Sequence, residues 1–344
     1  MSHSDGFHFA EFGIAPPFSP GQERRRLGGS SDTCVVLQYS RVALLGHDPL
    51  QMSVQPYRFE QQMEYLAEDC NVLSAEEWEY VLTRGRRFPP RSVILMFDGG
   101  YADLLHTVRD VLDRLSLPAM AFVPTAGIME RRLRWYDELE DLLIVNRGSG
   151  ECEVVVNDDV MRLSLYSHHE RLVAYTRILT LLSRKSPAEQ QEILDRIAGA
   201  LDFREGEVDG HAALDAQQLN QLGRSASFCI GGSTHHHVDP DTLAPGERWL
   251  EIGKNKEILE EVLGARVKYF SCPFWSLHGS SAASADLLWK LGFACGFYNT
   301  ADSMVVYTKS DQFALRRVCA PDTGPLGLHR RLAVADSLST QHKV

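Results

Sequence analysis

Short apolar runs alternate along the chain with longer amphipathic stretches. The runs CVVLQY from Cys34, SVILMF from Ser92 and AMAFV from Ala119 are brief and nearly continuous, as expected of strands buried on both faces. Between them, apolar positions recur at helical spacing over residues 59–68, from Ala75 onward and over 102–115. Ser74 followed by Glu77 has the form of a capping box and marks the start of the second of these helices. A short strand is expected at 71–73. Strands alternating with helices in this way predict a parallel sheet, closed or wound, with the helices outside.

The middle of the chain, about 137–225, breaks the alternation. The segment EVVVNDDVMRLSL carries two short alternating runs about an Asn-Asp turn and predicts a hairpin. Helices are expected over 169–183, 187–201 and 216–222, together forming an insertion on one face of the sheet. The strand pattern resumes at 228–231. A long helix over 245–263 ends at Gly264, a residue suited to a left-handed stop. The strand VKYFSCP, a helix over 281–291 and the strands CGFY and FALRRV complete the pattern. This divides the chain into an irregular lead-in rich in Gly, Pro and Ser (1–32), a main domain (33–325) and a C-terminal tail (326–344).

Composition narrows the functional classes. A chain of 344 residues, 44% hydrophobic and 24% charged, is ordinary for a soluble α/β domain. Its net charge of −11 argues against nucleic acid or an anionic membrane as partner, and the short run Arg24 to Arg26 is expected to be a solvated tail. The amino terminus has no signal-peptide pattern, and no stretch is long enough to span a bilayer. Seven cysteines without a CxxC spacing suggest thiols kept in a reducing compartment, so a cytoplasmic location is expected. Oligomeric state leaves no trace in the sequence.

Asp98 is the leading chemical candidate: it ends an apolar strand, and Gly99-Gly100 turn the chain away behind it. The segment SVILMFDGGYAD resembles the first motif of the polysaccharide deacetylase family (carbohydrate esterase family 4), usually TFDDGYAD. The resemblance spans about residues 34–320. It implies an irregular (β/α)7 TIM-like barrel with a helical and hairpin insertion. In that family the first aspartate is the general base and the second a metal ligand; Asp98 matches the former, and Gly99 stands at the latter.

Ile230 to His237 resembles the family's IGSHTxxH, whose two histidines are metal ligands. Ser233 occupies the first of these positions and His237 the second. His237 is thus the one retained ligand position, whereas a catalytic zinc uses about three protein ligands. No cofactor is therefore expected; zinc or another divalent ion in a site rebuilt from His235, His236, His47, His278 or Cys272 is the alternative. Adjacent residues on an extended segment point to opposite sides, so His235 is expected to face the same way as His237.

Further segments extend the resemblance. Tyr39-Ser40-Arg41-Val42 is similar to YHRV, and Cys272-Pro273-Phe274-Trp275 to YPFG or RPPY, with Trp275 offering a wall where glycine is usual. Trp135 to Leu139 is similar to WWDEL, and Phe313 to Val318 to FALPRV, which places Arg317 on the family's arginine and beside Asp98, where a cation favours the carboxylate. The expected function is metal-independent catalysis on a small molecule. Asp98 is the general acid or base, His235 or His237 its partner, and Arg317 its counter-ion. Tyr39, Ser40, Gly99, Ser233, Pro273, Phe274, Trp275 and Trp135 are the expected substrate contacts. A non-catalytic protein for a sugar-like ligand, or a regulator, and an N-deacetylase with a rebuilt metal site both stay open.

Overall fold

In the computed structural model the described residues are 30–130, 133–146, 148, 150–156, 159–201, 212–273, 281–299, 305–307 and 311–341. Most of the lead-in, with Arg24 to Arg26, lies outside them; of its remainder, Ser31 bridges to Phe88. Seven parallel strands form the central ring: β1 (Thr33–Tyr39), β2 (Ser92–Asp98), β3 (Ala119–Val123), β4 (Phe228–Gly232), β5 (Tyr269–Ser271), β6 (Cys295–Asn299) and β7 (Leu315–Cys319). Each pairs with the next in sequence, and β7 returns to β1 with Val318 opposite Leu37, closing a (β/α)7 barrel.

Closure explains why these strands read as continuous apolar runs: every residue of β2 is buried. Alternate residues divide between two cores. Val35, Leu37, Val93, Leu95, Ala119 and Ala121 pack outward against the helices, including 56–69 and 245–263. Cys34, Val36, Ile94, Met96, Met120 and Phe122 meet Tyr269, Phe297 and Leu315 in a separate cluster filling the barrel. Trp78, from the helix Ala75–Thr83, plugs the end of this interior where the strands begin, its ring 5.3 Å from that of Phe297. The expected capping box fixes that helix: Glu77 N donates to Ser74 Oγ (3.2 Å) and Ser74 N to Glu77 Oε2 (3.0 Å). In β4 a glycine is required, because a Cβ on Gly231 would lie 2.3 Å from the Phe122 ring.

Between β3 and β4 the chain builds a third core. The helix Trp135–Glu140, the antiparallel pair Glu151–Val156 and Asp159–Ser164, and the helices His168–Leu182 and Pro187–Ala200 bury Tyr136, Leu139, Cys152, Tyr175 and Ile193 together with Val238 and Leu243. Gly264 ends the helix Pro245–Leu263 in the left-handed region, at φ +63°.

Three elements depart from the sequence expectations. Val305–Tyr307 adds an antiparallel strand to β1, and Arg41–Val42 pairs with Ser53–Val54. Both are too short to show periodicity. The expected tail is instead the helix Pro325–Gln341, with Pro at its first position and Leu328 and Leu332 one turn apart in the outer core. Leu328→Ala should cost about 2–5 kcal/mol in a denaturant melt, as for other fully buried leucines; a cost below about 0.5 kcal/mol would place this helix outside the cooperative fold.

Candidate functional site at the barrel mouth

The interior parity that is apolar lower in the barrel turns polar at the carboxyl ends of the strands. Gln38, Asp98, Ser271 and Arg317 come from β1, β2, β5 and β7 and meet there. Arg317 Nη1 lies 2.6 Å from Asp98 Oδ2, Gln38 Nε2 donates to the same oxygen at 3.0 Å, and Ser271 Oγ donates to Oδ1 at 3.0 Å. Arg317 also reaches Ser271 Oγ and the carbonyl of Cys272. Asp98 is 1% exposed, so it faces side chains on all sides. Burial pushes its carboxyl above the usual carboxylate range, while Arg317 and Ser271 pull it down. Arg317 is the partner expected from sequence, but burial outweighs the ionising effect expected of it.

Gly99 follows at φ +96°, a conformation closed to most side chains. A Cβ there would meet the Tyr101 ring at 2.7 Å. That ring is sandwiched between two guanidinium groups, Arg134 at 3.5 Å and Arg41 at 4.3 Å from its centroid. Tyr101 Oη donates to Asp137 (3.0 Å), Arg134 Nη1 pairs with Asp137 (2.9 Å), and Arg134 Nε donates to the carbonyl of Gly99 (2.7 Å). All four side chains are buried. Nothing in the sequence reading pointed to Arg134, Tyr101 or Asp137 as a unit, because they are brought together by the turn after β2 and the segment after β3.

The histidine run lies in a turn, with His237 N donating to Thr234 O (3.3 Å) and His237 at φ +58°. The extended-segment parity therefore does not apply: the His235 and His236 rings meet edge-on at 4.5 Å, and each of the three imidazoles takes a different partner. His237 Nδ1 pairs with Tyr136 Oη at 2.8 Å, and its carbonyl accepts from Trp135 Nε1 at 3.4 Å. His235, fully buried, meets Thr125 Oγ1 at 2.7 Å. His236 turns to the helix Pro245–Leu263, where Glu251 accepts from its backbone N–H (2.9 Å) and pairs with Nδ1 (2.6 Å). Ser233 Oγ donates to Ser271 O at 2.9 Å. Burial, reinforced by Arg134 and Arg317 and opposed by Asp137, lowers the His237 pKa to about 3, so its imidazole is neutral.

Other expected contacts are scattered. Tyr39 is directed into the outer core, stacked 5.3 Å from Phe97 with its hydroxyl donating to Gln62 at 2.7 Å. It lines no mouth, because strand alternation turns it away from Gln38. Ser40 is half-buried, Pro273 is buried, and Phe274, Trp275 and His278 lie outside the described residues. His47 is exposed, its ring 6.1 Å from that of His168. Among the described residues no group of three or more His, Cys, Asp or Glu could hold a metal ion. No helix among them is long and apolar enough to cross a membrane.

A cavity of about 380 Å³ opens beside this network, past the ends of β3 and β4. Ala126, Leu133, Trp135, Pro187 and Leu250 give it a largely apolar wall, and Arg134, His235, His236 and Glu251 supply polar groups. Asp98 and His237 do not line it.

A closed parallel (β/α)7 barrel of this kind is the fold of the solved polysaccharide deacetylases. The chain is similar in structure to the deacetylase PplD of Streptococcus pyogenes in complex with acetate (TM-score 0.57, 14% identity, 87% of this chain and 98% of that one). It is also similar to IcaB of Ammonifex degensii (0.56, 18%, 89% and 98%) and to the polysaccharide deacetylase BC0361 of Bacillus cereus (0.52, 15%, 87% and 68%). No protein-family model matches the sequence, and no curated protein matches it.

The neutral His237 gives a pH dependence with a definite sign. The unfolded chain takes up its proton near pH 6.5, the folded chain only near 3. Between these values the unfolded state binds more protons, so stability falls on acidification, by at most about 1.4 kcal/mol per pH unit for this group. Asp98 and Asp103, raised by burial, act in the opposite sense at the acid end. His237→Asn, which tolerates the left-handed backbone, should flatten the loss of stability between pH 6.5 and 5 in denaturant titrations. An unchanged slope would assign that loss to other groups.

Proposed function

We propose that this protein is a metal-independent relative of the deacetylases that binds a small molecule in the cavity beside the barrel mouth. The observation that carries this reading is Gly99: its φ of +96° and the Tyr101 ring close off the place from which a second aspartate would reach a metal. The remaining groups fit a cation poorly as well. Ser233 Oγ is committed to a carbonyl, His237 Nδ1 to Tyr136, and Arg134 and Arg317 bring positive charge toward His237. Where a divalent ion would put two charges, the site holds buried guanidinium groups already balanced by Asp98 and Asp137.

A ligand site displaced from Asp98 follows from the same geometry. Asp98 is enclosed by three donors and acts as an anchor of the mouth, whereas the cavity offers volume in the range of small-molecule sites. The mostly apolar wall favours a ligand with an apolar body, and the flanking carboxylates of Glu247 and Glu251 disfavour an anionic one. A second reading retains Asp98 as a general acid, supported by the upward push of burial on its carboxyl, the property such a role needs. It requires the Arg317 pair to open when substrate binds.

Two measurements test the proposal. Protein purified and incubated with zinc, cobalt or nickel, then desalted, should retain well under 0.1 metal ion per chain by mass spectrometry; one ion per chain would overturn the reading. Gly99→Asp with Ser233→His restores the family's ligand types but should not restore binding. It should instead lower stability by more than about 1–3 kcal/mol, through backbone strain at residue 99 and displacement of Tyr101. A double variant that is stable and binds zinc would show that the closed mouth reopens readily.

A further inference from the structure

One face of the helix Pro245–Leu263 turns toward the cavity. Glu247, Leu250 and Glu251, spaced i, i+3 and i+4, all line it, so two carboxylates stand one turn apart beside an apolar side chain. Glu247 is exposed, and its Oε2 accepts from the backbone N–H of Ala244 at 3.2 Å. Glu251 is 7% exposed; it accepts from the backbone N–H of His236 at 2.9 Å and pairs with its Nδ1 at 2.6 Å. Among the described residues no lysine or arginine pairs with either carboxylate. Arg248, next in sequence, turns instead to Asp241 (3.6 Å) and the carbonyl of Pro240 (2.7 Å). Arg134, which also lines the cavity, is balanced by Asp137 at 2.9 Å.

Resting on the reading that the cavity is the ligand site, we infer that its ligand is a monocation with an apolar body, a primary amine carrying an aryl or short alkyl group. An ammonium group has three N–H donors and reaches both carboxylates at once, through charge-assisted hydrogen bonds that are stronger than neutral ones. Like charges one turn apart on a helix repel, and a cation between Glu247 and Glu251 removes that cost. The apolar body leaves water against Leu133, Trp135 and Leu250, in a volume of about 380 Å³ suited to a small molecule. Charge and shape thus act separately: an anion on the same body is repelled, and an alcohol gains the apolar contribution alone.

The test is a charge series on one body, 2-phenylethylamine, 2-phenylethanol and 3-phenylpropionate, titrated calorimetrically into the full chain at neutral pH. The amine should bind at least about tenfold more tightly than the alcohol, and the propionate more weakly than either. Glu247→Gln keeps an oxygen for the helix cap but loses the charge. That variant and Glu251→Gln, with unchanged thermal melts, should each cut the preference for amine over alcohol by about threefold and leave the affinity for the alcohol unaltered. Equal affinities for amine and alcohol, or a preference that both variants retain, would overturn the inference while leaving the cavity as the ligand site. Failure of all three probes to bind would remove the cavity reading, and the inference with it.

Discussion

The buried ion pair between Arg317 and Asp98 is the constraint on which the mouth of the barrel depends. Removing two charges from water costs several kcal/mol per ion, and mutual attraction offsets this only when further hydrogen bonds satisfy both partners. Here those bonds come from Gln38, Ser271 and the carbonyl of Cys272. The contributors sit on four strands, so the pair is satisfied only when the ring is closed in the observed register. The pair therefore ties electrostatics to topology: a slip of one residue in any of these strands would turn its polar member to the helices and strand a charge in an apolar interior.

Above that layer, a second set of charges takes over the space beyond β2. Arg134 holds the Gly99 carbonyl and Asp137 while covering one face of Tyr101, and Arg41 covers the other. Each guanidinium is thereby fixed by a planar partner that prefers arginine to lysine. Three arginines and two aspartates, Arg41, Arg134, Arg317, Asp98 and Asp137, lie buried around the mouth, and the half-buried Asp103 adds a third carboxylate. The formal balance explains how so many ionisable groups coexist out of contact with water.

Much of the barrel was legible in the sequence because its signals are local. Continuous apolar runs marked β1, β2 and β3, Ser74 and Glu77 announced their helix, and Gly264 marked a stop. The helix of residues 325–341 was missed although Leu328 and Leu332 stand at helical spacing, and the strand at 305–307 was hidden by its length. Within the site, Asp98 and Arg317 were placed together correctly by motif order. His235, His236 and His237 were not, since a turn with one residue at positive φ cancels the alternation that a strand would impose. Tyr39 was assigned to the mouth although its parity, opposite to that of Gln38, directs it to the helices. Glu251 gave no signal at all: it lies on a helix whose exposed face also carries glutamates, and only the approach of that helix to the turn after β4 distinguishes it.

The pairing of β1 with β7 has a consequence for how the molecule is made. Leu37 meets Val318, so β1 waits for a segment far downstream before its second neighbour exists. Until the last strand and the helix behind it leave the ribosome, β1 has an open edge on one side, and Arg317 is missing from a carboxylate already surrounded by apolar side chains. Rings closed by distant segments assemble slowly, because the entropy of bringing chain ends together is lost before contacts compensate it. Until residues 315–319 join, the ring is an unsealed sheet, and β7 acts as its latch.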